Sequence, residues 1–282
     1  MQQRPFGNTK RPVARIGQGS WNIENGDRRS AVAALRAGVA AGMTHIDTAE
    51  MYGSGGAERI IAEAFTPSER DGLFLVSKVL PQNASRAGTI RACEQSLKRL
   101  KTDRLDCYLL HWRGSQPLAE TVAGLEALRE AGKILSWGVS NFDEDDMAEL
   151  LAIAGPGRVA CNQVLYHLQE RAIEHAVIPW CEANGVAVVA YSPFGSGDFP
   201  RLNTTAGRAL QEIAQKHGAT PRQVALAFLT RRSSVFAIPK AAKAEHARDN
   251  AGAGDLVLTD AEIAQIDAAF PRGKKPRSLP MI

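Results

Sequence analysis

An α/β chain closed into a (β/α)8, or TIM, barrel is what the residue pattern predicts, on three observations. Short apolar runs rich in Val, Ile and Leu alternate with amphipathic stretches of helical length, the pattern of parallel strands joined by crossovers with both sheet faces covered. Eight such runs can be counted, which favours a closed barrel over an open doubly wound sheet. The length, 282 residues, suits a single barrel, since these routinely need about 250.

The opening RPFGNTKRPV, residues 4–13, is expected to form a hairpin that plugs one end of the barrel. The strand runs follow at 16–21, 44–47, 73–79, 105–111, 134–140, 159–164, 186–191 and 235–240. Helix candidates lie between them at 29–41, 89–100, 119–131 and 145–154. Local signals mark several ends. Gly132 follows the candidate ending at Ala131, Thr220-Pro221 reads as an N-cap with proline at the first helical position, and Thr259 precedes a glutamate three residues on. A helix-like stretch at 260–270 leads into an irregular, basic, proline-containing tail, 271–282, expected to lie over the barrel surface or stay mobile. No Pro-, Gly- or Ser-rich linker divides the chain, so residues 1–282 are expected to form one domain.

Composition narrows the classes of function. Hydrophobic residues at 44% and charged residues at 23% match soluble globular chains and allow a full core. The net charge of +4 is small and the basic residues are scattered, whereas nucleic-acid binders gather Lys and Arg into one stripe. Cys93, Cys107, Cys161 and Cys181 lie far apart with no CxxC pair, which points to reduced thiols rather than zinc or a disulfide framework. MQQRPFGNTK lacks the apolar core of a signal peptide, and no apolar run approaches the roughly 18 residues of a membrane span. A cytoplasmic protein without membrane or nucleic-acid partners is the expectation. His45, His167, His175 and His217 lack ligand spacing, so metal dependence is not expected.

The chemistry is sought at the C-terminal ends of the strands, where barrel enzymes carry their reactive groups. Those ends are Asp47 followed by Tyr52, Lys78, His111, Ser140 with Asn141, Asn162 with Gln163, Tyr191 with Ser192, and Lys240. A strand leaving a core must meet water, so one polar end means little. An acid, a lysine, a histidine and a tyrosine brought to one rim mean more. Buried together, Asp47 and Lys78 would pair, because an unpaired charge there is costly. Tyr52, ordinarily with a pKa of about 10, would then meet the ammonium, which favours phenolate and makes the phenol a better acid. His111 would hydrogen-bond an incoming carbonyl oxygen. No Ser-His-Asp or Cys-His arrangement is apparent, so the group attacking the carbonyl carbon is expected from a cofactor.

Seven segments then carry a resemblance: DTAEMYG at 47–53, the SK of LFLVSKV at Lys78, LLHW ending at His111 and Trp112, GVSNF at 138–142, the NQ pair at 162–163, YSPFGSG from Tyr191, and IPK at 238–240. In this order they resemble the aldo-keto reductases, barrel enzymes that use a nicotinamide cofactor, and the likeness covers essentially the whole chain. It implies a catalytic tetrad of Asp47, Tyr52, Lys78 and His111, with Tyr52 the general acid in reduction and the base in oxidation. It implies that Ser140, Asn141 and Gln163 hold the nicotinamide carboxamide and that Tyr191 stacks on the ring. The loop carrying Ser192, Phe194 and Ser196 would bring backbone N–H groups to the pyrophosphate, although without the resemblance an ordinary turn is the preferred reading. Lys240, Lys243, His246, Asp249 and Asn250 correspond to the adenosine-phosphate site.

The match departs from the family at that last site. Ala241 stands where a Ser or Thr is usual and His246 where an arginine is usual, while Arg248, if helical, points away from His246. NADP(H) is still expected, on Lys240 and Lys243, with NAD(H) as the alternative. Arg113 replaces a frequent proline after the HW pair. Trp21 and Trp112 are expected to wall the carbonyl pocket, with polar contacts from Glu24, Asn25 and Arg113, and the short tail suggests an open cleft and broad substrate acceptance. The implied activity is reduction of aldehydes and ketones to alcohols, with a small-molecule carbonyl substrate and a monomer or weak oligomer. The alternative is a cofactor-binding regulatory subunit with little turnover, such as the potassium-channel β-subunits of the same fold; the lack of an added partner-binding segment favours the enzyme.

Overall fold

The computed structural model describes residues 1–282. Strands β1 (Gln3–Pro5) and β2 (Pro12–Ala14) form the expected antiparallel hairpin, pairing Gln3 with Ala14 and Arg4 with Val13. Phe6 at its turn is fully buried and packs against Phe74 and Phe236 inside the barrel. Gly7 follows with φ +51°, and a Cβ there would stand 2.3 Å from the Ala160 carbonyl oxygen, so only glycine lets the plug seat this deeply.

Eight parallel strands make the barrel wall: β3 (Gln18–Gly19), β4 (His45–Asp47), β5 (Phe74–Val79), β6 (Cys107–Leu110), β7 (Trp137–Ser140), β8 (Val159–Leu165), β9 (Ala187–Tyr191) and β10 (Val235–Ala237). Each pairs with the next, and the ring closes where Gly17 N–H donates to Ala237 O (2.8 Å) and Gly19 N–H to Pro239 O (3.1 Å). Side chains alternate across the wall. In β5, Phe74 and Val76 join the inner core with Cys107, Leu109, Val189 and Phe236, while Leu75 and Val79 pack against the helices outside. Fully burying such a side chain contributes about 1.5–3 kcal/mol each.

The helices follow the predicted crossovers with shifted starts set by their caps. Helix α1 (Arg28–Ala40) begins where the Asp27 side chain accepts from Ser30 N–H. Two helices not expected from the sequence, α2 (Gly56–Ala64) and the short α3 (Pro67–Arg70), follow β4. Helix α4 (Arg86–Leu100) starts ahead of the expected Thr89 because Ser85 caps Gly88 N–H. Helices α5 (Leu118–Glu130) and α6 (Glu144–Ala154) lie close to their predicted positions, and α7 (Val177–Ala183) is additional. After β9 come α8 (Thr205–His217) and α9 (Pro221–Leu229), and after β10 come α10 (Ala244–Ala251) and α11 (Asp260–Ala269). The capping boxes predicted at Thr220 and Thr259 are both formed.

Several strands are shorter than their apolar runs, β3, β6, β7 and β10 by three residues or more. The first stops at Gly19 because the chain turns through Asn22, which takes φ +60°. The fifth is regular only from Trp137, with Ile134 joined to Leu105 by an isolated bridge. No helix is long and apolar enough to cross a membrane.

Candidate active site

The residues expected at the rim do converge. Asp47 ends β4 and Lys78 lies one residue before the end of β5, its side chain on the inner face of the wall. The Lys78 ammonium donates to Asp47 Oδ1 (2.6 Å), to the Thr48 carbonyl (2.8 Å) and to the Tyr52 hydroxyl oxygen (3.2 Å). Three acceptors saturate its three protons and aim one of them at the phenol. Tyr52 itself is set by a tight turn in which its N–H donates to Ala49 O and its carbonyl accepts from Ala57 N–H, the start of α2. His111, just past β6, has its N–H tied to Val79 O, and its ring meets the Tyr52 ring edge to face at 5.7 Å between centroids.

Gln163 adds a link that its sequence position did not suggest. Its Nε2 donates to Asp47 Oδ2 (2.8 Å), so the carboxylate is held by one cation and one amide. The Gln163 side-chain amide oxygen, Oε1, makes no hydrogen bond to the protein. Asn162, the other half of the NQ pair, is structural: it is fully buried and exchanges hydrogen bonds with the backbone of Phe142.

The electrostatics depart from the expectation in one respect. Burial alone would pull the Lys78 ammonium down, but Asp47 and Tyr52 outweigh it, and its pKa is raised above the ordinary lysine value. The sequence led to an acidified phenol. Instead, burial raises the Tyr52 pKa above 10, the Lys78 charge only partly offsets it, and the charges of Asp47 and Glu24 add to the rise. Desolvation of a phenolate held 9% exposed exceeds the attraction of one ammonium that is already shared with a carboxylate. Tyr52 is therefore firmly protonated, with the Lys78 ammonium donating to its oxygen. Burial, helped by the Lys78 charge, lowers His111 to about 3, so its imidazole is neutral at ordinary pH. Its Nδ1 is buried without a partner.

These groups open into a cavity of about 510 Å³ lined by Asp47, Tyr52, His111, Ser140, Asn141, Gln163, Tyr191, Ser192, Phe194, Ser196 and Lys240. Trp21 and Trp112 wall it as expected, together with Met51. Non-glycine residues with left-handed backbone are few, and Asn22, Asn141, Ser192 and Ser196 all belong to this wall, with φ of +60°, +61°, +48° and +51°. Strain of this kind concentrates where a backbone must present its polar groups to a ligand.

The donor set fits a dinucleotide. The Tyr191 hydroxyl donates to Asn141 Oδ1 (2.9 Å), Asn141 Nδ2 donates to His111 O, and the Ser140 hydroxyl donates to Gln163 O, which together fix a flat phenol ring across the cavity from Tyr52. Past it, Gly195, Ser196 and Gly197 all take positive φ, a tight curl of backbone that brings Ser196 and Gly197 to the cavity wall. A Cβ on Gly197 would meet nothing within 4 Å, which leaves the approach open.

Other expected contacts lie elsewhere. Arg113 is spent on Asp146 and Glu149 and does not line the cavity, because α6 presents both carboxylates to it. Glu24 and Asn25 do not line it either; Glu24 packs against Gly53, and Asn25 donates to Asn22. Lys243 and His246 are exposed at the start of α10 and face Glu245 at 3.8 and 3.7 Å. Asp249 accepts from Thr220 and Gln223 of α9, and Asn250 is buried.

The tail gives the main correction to the expected open cleft. Arg171 clamps the end of α11 through Phe270 O and Asp267, Lys275 is bonded to Glu144, and Leu279 packs on the outer core. The last residue, Ile282, reaches the cavity wall, and its N–H approaches the Tyr191 hydroxyl. Twelve irregular residues carry no periodicity from which this return could be read.

Comparison with known proteins bears on this geometry. The model of the "Aldo/keto reductase family" matches residues 15–270. A methylglyoxal reductase of Escherichia coli is 46% identical over 95% of this chain and 94% of its own length. A glyoxal reductase of Bacillus subtilis is 33% identical over 90% of this chain and 87% of its own. Among solved structures, an aldo-keto reductase from Klebsiella pneumoniae in complex with NADPH superposes with a TM-score of 0.92, at 44% identity and with all of both chains covered.

Proposed function

The chain belongs to the aldo/keto reductase family, and on that premise we propose that it reduces small 2-oxoaldehydes of the methylglyoxal type to hydroxyketones with NADPH. It is an NADP(H)-dependent oxidoreductase acting on aldehydes and ketones, with NAD(H) the weaker alternative. The observation that carries the assignment of its residues is the Lys78 ammonium held between Asp47 and the Tyr52 hydroxyl, beside a neutral His111 in the cavity.

The bound dihydronicotinamide supplies the hydride that reduces the carbonyl carbon. The protein supplies the rest. His111 donates a hydrogen bond to the substrate's carbonyl oxygen; being neutral, it polarises that oxygen without competing to protonate it. Tyr52 delivers its proton to the same oxygen as negative charge develops there. Lys78, already oriented by Asp47, then faces the tyrosinate at hydrogen-bond distance, where charge stabilisation is strongest because water is excluded. Gln163 keeps Asp47 from rotating, and its side-chain amide oxygen would accept from the nicotinamide carboxamide, with the Tyr191 ring available to stack on the nicotinamide. Trp21, Trp112, Met51 and Ile282 narrow the entrance, which suits a small carbonyl compound.

The test is steady-state oxidation of NADPH in the presence of methylglyoxal. Tyr52→Phe keeps the ring packing and removes the proton, so kcat should fall by about 10²–10⁴ while NADPH still quenches tryptophan fluorescence with unchanged affinity. Turnover by the variant at the wild-type rate would defeat the assignment of Tyr52, and binding without turnover by the wild type would defeat the enzyme.

A further inference from the structure

The adenosine end of the site lacks the arginine usual in the family at position 246, and the cations nearest in sequence are poorly placed to replace it. Lys243 and His246 are exposed and share the carboxylate of Glu245. A different cation borders the loop after β9. Arg222, in the first turn of α9, lays its guanidinium 4.9 Å from the ring centroid of Phe199 and 5.7 Å from that of Phe194. The two rings meet edge to face at 5.7 Å, so they form a corner that holds the guanidinium plane. Phe194 belongs to the loop after β9 and lines the cavity with Ser196, Gly197 and Lys240. On the other side, Asp249 of α10 accepts hydrogen bonds from Thr220 and Gln223, the residues flanking Pro221 and Arg222. Arg222 thus joins the loop after β9, through Phe194 and Phe199, to the end of α9 that holds Asp249 of α10. It makes no hydrogen bond or ion pair to the protein, so all its N–H donors remain available at the rim of the stacked face.

We propose that Arg222 recognises the 2′-phosphate of the dinucleotide, taking over from another helix the role the family gives to an arginine at position 246, and is the residue that makes this chain prefer NADPH to NADH. The chemistry suits it. A guanidinium stacked on aromatic faces is desolvated on those faces while its edge donors stay free to meet phosphate oxygens in a fork. Lysine in its place would keep the charge and lose both the stacking and the fork.

The inference rests on the NADP(H) reading above and is tested by binding, independent of turnover. Affinities of the wild type, Arg222→Ala and Arg222→Lys are measured by calorimetry for NADPH, NADH, 2′,5′-ADP and 5′-AMP. Arg222→Ala should weaken NADPH and 2′,5′-ADP roughly tenfold or more while leaving NADH and 5′-AMP within about twofold, with Arg222→Lys in between. Thermal melting of each variant alongside the wild type controls for folding, and Arg222→Gln replaces the alanine variant if that one melts early. Equal weakening of NADPH and NADH would overturn the proposal by reducing Arg222 to a loop clasp, and so would no change in either. A wild type with no affinity for any of the four ligands would instead overturn the dinucleotide reading itself.

Discussion

His45→Leu should make the protein more stable, and increasingly so in acid. His45 is fully buried in the inner wall of the barrel, two residues below Asp47 on the same strand, between Phe6 at 5.9 Å and Phe74 at 5.3 Å. Neither ring nitrogen has a hydrogen-bond partner. An unsatisfied buried polar group costs about 1–3 kcal/mol, which an apolar side chain of similar volume would recover, less any strain of repacking. A second contribution depends on pH. Burial, with a smaller effect of the Lys78 charge, lowers the folded pKa to about 3, whereas an unfolded histidine titrates near 6.5. Below about 6.5 the unfolded chain therefore binds a proton that the folded chain refuses, so the wild type loses stability as pH falls from there toward the folded value. Near pH 5 that loss is about 2 kcal/mol, at 1.36 kcal/mol per unit. His45→Leu should thus gain about 1–3 kcal/mol near pH 7.5 and about 3–5 kcal/mol near pH 5. Urea unfolding of both proteins at the two pH values, followed by circular dichroism, measures the difference and cancels every other titrating group. A gap that fails to widen in acid would refute the reasoning, because it would mean that the imidazole is solvated or paired.

Two further outcomes follow from the site. With His111 lowered to about 3 and Tyr52 raised, kcat/KM for reduction should show no inflection near pH 6.5 and should decline only in strongly alkaline solution as Tyr52 loses its proton. A break near 6.5 that disappears in His111→Asn would show that the histidine titrates during the reaction. Removing Met281 and Ile282 should lower KM for a bulky aromatic aldehyde by roughly tenfold and leave methylglyoxal within about twofold, since only the larger substrate meets the Ile282 wall. Equal effects on both substrates would mean that the tail does not narrow the entrance.

Much of the architecture was legible in the residues because barrel strands repeat a strong local signal. The run LFLVSKV alternates inward and outward along β5, and its lysine near the end announces a polar group on the barrel rim. The caps at Thr220 and Thr259 are equally local, each set by a side chain and a backbone N–H three residues apart. Helices α2 and α7 were missed because they are short and carry no such signature. Asp47, Tyr52, Lys78 and His111 could be paired in advance because an acid and a cation inside one apolar wall have few other solutions.

Sequence alone determined the alternation of strand and helix, the polar ends of the strands and the set of side chains offered to the rim, since each depends on neighbours within a few residues. Tertiary structure alone decided that desolvation outweighs Lys78 at the phenol, that Gln163 is shared with Asp47, that Arg113 turns to Asp146 and Glu149, and that Ile282 returns to the cavity. Each of these is a balance between burial and a partner distant along the chain, and that balance exists only once the fold has set the distances.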